Sequence, residues 1–257
     1  MEYDGAIVDL DGTIYREYTP IPGSKTAIQS LRERGMSVIF LTNNPQRSPD
    51  AIAHRLESMG IPCEPGAVIT AGAVTTQYLA SHHPNDPIFL IGSDGLADQF
   101  DRAGLTLTDE PTEANIVVTS HDRSFDFDDL TAGLRALQTA ELFVGTDPDR
   151  VYPGPHGKPV PGSGAITGAV GGTADRTPDI VFGKPSLETV EYVVERLDPR
   201  DGDWLVVGDS LKTDIAFGKR AGMDTALVRS GLTDESDSLS PTPEFVVKTI
   251  GEILSIL

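Results

Sequence analysis

The sequence predicts an α/β fold: a doubly wound parallel sheet with a smaller α/β domain inserted into it. Three observations carry that reading. Four near-continuous apolar runs each stop abruptly at polar or glycine residues, as strands of a parallel sheet covered on both faces do. Helical patterns alternate with these runs, which marks β–α–β construction. Between the second and third runs lies a stretch with its own, shorter alternation of strands and helices.

The first run, 6–8, ends in Asp9-Leu10-Asp11 and the turn Gly12-Thr13. Side chains two apart on extended backbone point the same way, so both carboxylates face one site. Gly12 lets the chain turn and bring N–H groups toward an anion. Two adjacent carboxylates repel unless a cation or a shared proton intervenes. The segment also reads, more plainly, as a strand ending in a polar turn. A helix over 23–34 precedes the second run, 38–41, which ends in Thr42-Asn43-Asn44. A helix over 49–59 follows, with Ile52, Ala53, Leu56 and Met59 on its apolar stripe.

In the middle of the chain, strands at 88–91, 116–119 and 142–144 alternate with helices at 94–103 and 128–138. Proline-bearing turns at 84–87 and 177–178 set the insertion at 85–178, leaving 1–84 with 179–257 as the larger domain. The third run, 180–182, ends in Gly183-Lys184-Pro185. A helix over 186–197 follows, with Ser186 as N-cap and Glu188 in the first turn. The fourth run, 205–207, ends in Gly208-Asp209-Ser210, and a helix over 213–221 stops at Gly222. Strands at 225–228 and 245–247 and a helix over 250–257 complete the chain, with a polar surface loop over 235–243.

In open sheets of this kind the ligand lies at the carboxyl ends of the strands. Asp9, Asp11, Thr42, Asn43, Lys184 and Asp209 all fall there and are expected to meet in one crevice. Carboxylates grouped with a hydroxyl favour a hard cation, Mg²⁺ above all when a phosphate completes its shell. No Cys/His set has zinc spacing. An Asp can attack phosphorus and form an aspartyl-phosphate, while a cation, a lysine and backbone amides neutralise the phosphoryl charge. A second acid can protonate the leaving oxygen and then activate water. Plainer readings stand beside these: a turn or cap cluster for Thr42-Asn43-Asn44, a solvated strand-end lysine for Lys184, and a helix cap for Asp214. Asp126, Asp128 and Asp129 lack the glycine of a calcium loop, and Gly162, Gly164 and Gly168 miss the dinucleotide spacing. His82 and His83 close a helix, where cations are favoured.

The motifs in order resemble the haloacid dehalogenase superfamily of phosphatases, in the subgroup with a large inserted α/β cap that holds the NagD-like and 4-nitrophenylphosphatase-like enzymes. The matching segments are Asp9-Leu-Asp-Gly-Thr-Ile-Tyr15, Ile21-Pro-Gly23, Leu41-Thr-Asn-Asn44, Gly183-Lys-Pro-Ser186 and Gly208-Asp-Ser-Leu-Lys-Thr-Asp214. In the insertion, Gly145-Thr-Asp-Pro-Asp149 and Pro161-Gly-Ser-Gly-Ala165 match as well. The resemblance implies a Rossmann-like core with a C2-type cap. It also implies Mg²⁺-dependent hydrolysis of a small phosphorylated metabolite (a sugar phosphate, a nucleoside monophosphate or similar) through an aspartyl-phosphate.

By the same resemblance, Asp9 is the nucleophile and Asp11 the general acid/base. Asp209, Asp9 and the backbone carbonyl of Asp11 hold the metal, and Asp214 contacts it or orients its waters. Thr42 and the Asn43 amide bind phosphoryl oxygens, Lys184 neutralises Asp9 and the phosphate, and Gly12, Thr13, Asn44 and Asp147 lie at the substrate. A phosphoryl-transferring mutase and a phospho-accepting signalling module remain alternatives, since both use an aspartyl-phosphate.

At 257 residues and a net charge of −19, the chain is a poor partner for nucleic acid or anionic membrane, which attract basic patches. A small-molecule substrate is expected, and a homo-oligomer is left open. No apolar run approaches the roughly 20 residues that span a bilayer. The N-terminus lacks a basic segment followed by an apolar one. The single cysteine, Cys63, suits a reducing cytoplasm. The acidic composition with six Lys would fit a halophilic source.

Overall fold

A computed structural model describes residues 3–154, 158–197, 203–230 and 240–257. The chain divides into two compact units: Met1–Thr42, Pro49–Ile69 and Lys184–Leu257 form one, and Asn43–Ser48 with Thr70–Gly183 form the other. Both are α/β, in agreement with the sequence.

The larger unit is built on a six-stranded sheet in the order Phe245–Val247, Asp224–Val228, Trp204–Gly208, Gly5–Val8, Ser37–Thr42, Val68–Thr70. Gly5–Val8 runs parallel to both neighbours, with Val8 opposite Val207 on one side and Phe40 on the other. Alternation along the strands separates two apolar faces. Ala6, Val8, Val38, Phe40, Leu205, Val207, Ala226 and Val228 join one core with Ala27, Ile28 and Leu31 of the helix Ser24–Glu33. Ile250 and Ile253 of a closing 3₁₀ segment, Ile250–Ser255, complete that core. Leu227 points the other way and packs on Leu211 and Ile215. Apolar side chains on both faces explain why these strands read as unbroken apolar runs.

The smaller unit holds a parallel four-stranded sheet in the order Ile180–Val181, Leu142–Gly145, Ile116–Thr119, Ile88–Ile91. Here the structure corrects the sequence reading. The run 180–182, expected as a strand of the larger domain, is an edge strand of the smaller sheet. Val181 lies opposite Gly145, and Phe182 N–H donates to the Gly145 carbonyl at 2.8 Å. Phe182 is buried against the Tyr78 ring. The smaller unit also begins at Thr70 rather than 85, because the helix Ala71–His82 packs on the helix Asp94–Arg102. Gln99 of the latter donates to the Pro45 carbonyl at 3.3 Å, and a Cβ on Gly72 would sit 2.3 Å from that same oxygen. This close approach draws residues 43–48 into the same unit.

The helices expected at 94–103 and 128–138 appear as Asp94–Arg102 and Phe127–Leu137. The expected closing helix is the 3₁₀ segment Ile250–Ser255 instead. The strand Val68–Thr70, the helix Ser163–Ala174 and two small hairpins were not expected. Of the polar loop expected at 235–243, residues 235–239 lie outside the described part. No helix among the described residues is long and apolar enough to cross a membrane.

Candidate active site

The site grows from the carboxyl end of Gly5–Val8. Asp9 N–H donates to the Val207 carbonyl at 2.9 Å, so the ladder carries the backbone one residue past the strand and delivers Asp9 to the edge. The chain then turns sharply. The Leu10 carbonyl accepts N–H groups from Thr13, Ile14 and Tyr15, and Gly12, at φ +91°, donates to the Tyr15 carbonyl at 2.8 Å. Only glycine takes that φ without cost, and the turn seats Thr13 in the interior.

Lys184, 3 % exposed, reaches the same point from the chain segment after the smaller sheet. Its Nζ donates to Asp9 Oδ1 at 2.6 Å, Asp214 Oδ1 at 2.6 Å and the Leu41 carbonyl at 2.9 Å. Leu41 belongs to the strand Ser37–Thr42, whose last residue, Thr42, is buried beside it. Lys184 is therefore no solvated strand-end lysine.

Asp214 lies in a π-helical turn, Leu211–Ile215, that leads into the helix Ala216–Ala221. Ser210 caps this turn by accepting from Thr213 N–H at 3.3 Å. Asp214 Oδ2 reaches back to accept from Ser210 N–H at 3.0 Å. Ser210, not Asp214, is therefore the cap; Asp214 does not cap the helix that follows, and its second oxygen holds Lys184. Gly208 makes room for the carboxyl group: a Cβ there would lie 2.2 Å from Asp214 Cγ.

One carboxylate oxygen from each of Asp9, Asp209 and Asp214 lies within 4.8 Å of the others, and all three residues are buried. Burial pushes the Asp9 carboxyl up to about 7, with Lys184 opposing the shift and Asp214 and Asp11 adding to it. Burial works against the charge of Lys184, yet Asp214 and Asp9 together hold its pKa above the ordinary lysine value. Asp9 Oδ2 is buried with no hydrogen-bond partner among the described residues. Three converging carboxylates, one of them with a buried oxygen that lacks a hydrogen-bond partner among the described residues, form a donor set that fits a hard divalent cation, with Lys184 balancing part of their charge. The Asp11 carboxylate is not part of this cluster, and its side chain is exposed.

The other expected site residues find their partners in the smaller unit. Asn43 Nδ2 donates to Asp149 Oδ2 at 3.1 Å, and its Oδ1 lies 2.9 Å from where a Cβ on Gly183 would be. Asn44 Oδ1 accepts from Gln46 N–H at 3.0 Å and Arg47 N–H at 3.1 Å, so the turn reading describes Asn44. Asp147 is buried; its Oδ1 accepts from Asp149 N–H at 3.1 Å and its Oδ2 from the Thr146 hydroxyl at 3.3 Å. Burial, reinforced by Asp149, raises its carboxyl to about 7, against the lowering effect of bonds from Ser163, Asp149 N–H and Thr146.

The family model for haloacid dehalogenase-like hydrolases matches residues 6–106, and a second model of the same hydrolase type matches 181–253. Sugar-phosphatase AraL of Bacillus subtilis is 30% identical over 252 residues, covering 98% of this chain and 92% of that protein. The 5'-nucleotidase YutF of the same organism is 32% identical over 231 residues, covering 90% and 89%. Among solved structures, the p-nitrophenyl phosphatase from Archaeoglobus fulgidus superposes with a TM-score of 0.90 at 32% identity over 100% of both chains. The chain belongs to the haloacid dehalogenase-like hydrolases. Within them it is a NagD-like phosphatase, a phosphoric monoester hydrolase.

For this haloacid dehalogenase-like phosphatase, sequence reasoning did not single out Ser210, Gly208, Asp149 or the Leu41 carbonyl as parts of the two polar clusters. The four-residue spacing of Ser210 and Asp214 was a visible signal for the first. A backbone carbonyl such as that of Leu41 leaves none.

Proposed function

We propose that this phosphatase is Mg²⁺-dependent and releases phosphate from a small phosphorylated metabolite, a sugar phosphate or nucleoside monophosphate, through a phosphoenzyme on Asp9. The observation that carries this reading is the Lys184 bridge between Asp9 and Asp214 beside Asp209, at the carboxyl ends of the parallel strands. Lys184 fixes Oδ1 of Asp9 and so orients the carboxylate. Asp9 attacks phosphorus; the bond from phosphorus to the ester oxygen breaks, and Asp11 delivers a proton to that oxygen. Asp11 then takes a proton from water, which attacks the acyl phosphate, returns the Asp9 carboxylate and frees phosphate. Asp9, Asp209 and Asp214 would hold the cation, which when bound neutralises charge on the phosphoryl oxygens. The substrate class is supported by the names of the relatives, a sugar phosphatase and a 5'-nucleotidase.

The test is phosphate release from a panel of sugar phosphates and nucleoside monophosphates. Turnover should stop with EDTA, return with Mg²⁺, and disappear in Asp9→Asn. Turnover by Asp9→Asn at the wild-type rate would overturn the assignment of the nucleophile.

A further inference from the structure

Immediately after the Asp9–Thr13 loop the chain makes a two-stranded hairpin, Tyr15–Arg16 paired with Thr19–Pro20. Nothing in its sequence makes it stable alone. Two-residue strands are far shorter than an independently stable hairpin needs, and Glu17 at its tip sits at φ +52°, a region unfavourable for a residue with a side chain. Burial of Tyr15 in the core anchors its base, and Arg55, on the helix Pro49–Ser58, braces it from the side. Its guanidinium lies over the Tyr15 ring, 4.3 Å from the centroid, and over the Tyr18 ring at 4.7 Å, and it donates to the Glu17 carbonyl. One arginine therefore ties the first strand to the strained tip.

Tyr18 is 73 % exposed, so little else fixes that ring. Tyr15 is fully buried, and its backbone pairs with Asp11 in an isolated β-bridge and accepts from Gly12 N–H. The far side of the clamp is thus the backbone of the acid/base itself. Asp11 is exposed and stands outside the carboxylate cluster that Lys184 organises. Its backbone belongs to the loop between Asp9 and Tyr15, and that loop ends in the clamped hairpin.

We propose that Arg55, stacked over Tyr15 and Tyr18, is a positioning residue for Asp11, fixing the carboxyl that protonates the leaving oxygen. The inference rests on the reading of Asp11 as general acid. Its consequence is specific: loosening the clamp weakens proton delivery to the leaving group and leaves the attack by Asp9 intact. Leaving groups that depart readily as anions suffer little, and those that need a proton suffer most.

The experiment compares kcat/KM for p-nitrophenyl phosphate and phenyl phosphate, since phenolate is the poorer leaving group. Arg55→Ala should cut the phenyl phosphate value by about tenfold, a fraction of the roughly 10²–10⁴ that a general acid supplies, and the nitrophenyl value by less than about threefold. Tyr18→Ala, at an exposed position, should reproduce the bias without the risk to folding that Arg55→Ala carries. Tyr18→Phe retains the ring and restores the ratio. Arg55→Lys lacks the planar face that stacks on both rings and should fall between. Asp11→Asn separates the inference from the reading beneath it. If Asp11→Asn biases the ratio and the clamp variants reduce both substrates equally or not at all, the clamp role is refuted. If Asp11→Asn itself leaves the ratio unchanged, the acid assignment fails and takes this proposal with it.

Discussion

At the scale of single residues, the two most informative acids differ in what surrounds them. Asp9 has a lysine at 2.6 Å that makes its charged form tolerable despite burial. Asp147 has no cation among its described partners, which are hydroxyls and a backbone N–H. Its folded-state pKa of about 7 stands above the ordinary 3.8. Between those values the folded protein binds more protons than the unfolded chain, so Asp147 makes stability fall as pH rises from about 4 to about 7. At 1.36 kcal/mol per pKa unit the fall is roughly 4 kcal/mol at most. Asp147→Asn removes this contribution. Urea midpoints measured at several pH values should therefore decline less steeply from pH 4 to 7 in the variant than in the wild type. Parallel curves would mean that Asp147 is ionised in the fold throughout that range.

Elements explain where these residues come to rest, and caps can be separated from chemistry at this scale. Asp126 forms a capping box with Asp129 at the start of Phe127–Leu137, accepting from Asp128 and Asp129 N–H, in exposed positions. Ser210 caps the turn that carries Asp214. Each serine or aspartate cap is worth about 1 kcal/mol. Asp126→Ala and Ser210→Ala should therefore lose similar stability in denaturant titrations, while phosphatase activity falls in Ser210→Ala alone. Equal activity in both would show that Asp214 needs no help from its cap. The elements that the sequence disclosed were those with strong apolar runs or full-length amphipathic stripes, such as Gly5–Val8 and Ser24–Glu33. The run 180–182 was just as apolar, but pattern cannot say which of two parallel sheets a short strand joins; Phe143 and Gly145 decide that through long-range hydrogen bonds. The helix Ser163–Ala174 was hidden by its four glycines. Two of them are dictated by contacts invisible in sequence, since a Cβ on Gly164 or Gly171 would lie 2.5 Å from the carbonyl of Pro148 or Arg176. The acids of the site were legible because motif spacing survives in one dimension. The Lys184–Asp214 pair was not singled out, because it depends on how a turn folds back on the sheet.

For the whole molecule the dominant quantity is charge. Against 39 acidic residues stand 20 basic ones, of which six are lysines, for a net of −19. Among the described residues, Lys184 pairs with Asp9 and Asp214 in the interior, while Lys219 with Glu244 and Arg176 with Asp179 pair nearer the surface. Most of the remainder repel one another through solvent, which works against the compact state. Salt shortens the reach of that repulsion, from about 10 Å at 0.1 M to about 3 Å at 1 M. Unfolding separates the charges and relaxes the repulsion, so screening stabilises the folded protein more than the unfolded chain. If screening recovers about 2 kcal/mol, Tm should rise by about 4–8 °C between low salt and 1 M NaCl for a protein near this size. Potassium chloride should act alike, because screening depends on ionic strength. Sucrose, which is excluded from surfaces but carries no charge, should not reproduce the steep rise at low concentration. Because two units can unfold separately, each transition should be followed on its own, and both should move upward. A Tm that stays level or falls over this range would remove the physical ground for reading the acidic surface as an adaptation to high salt.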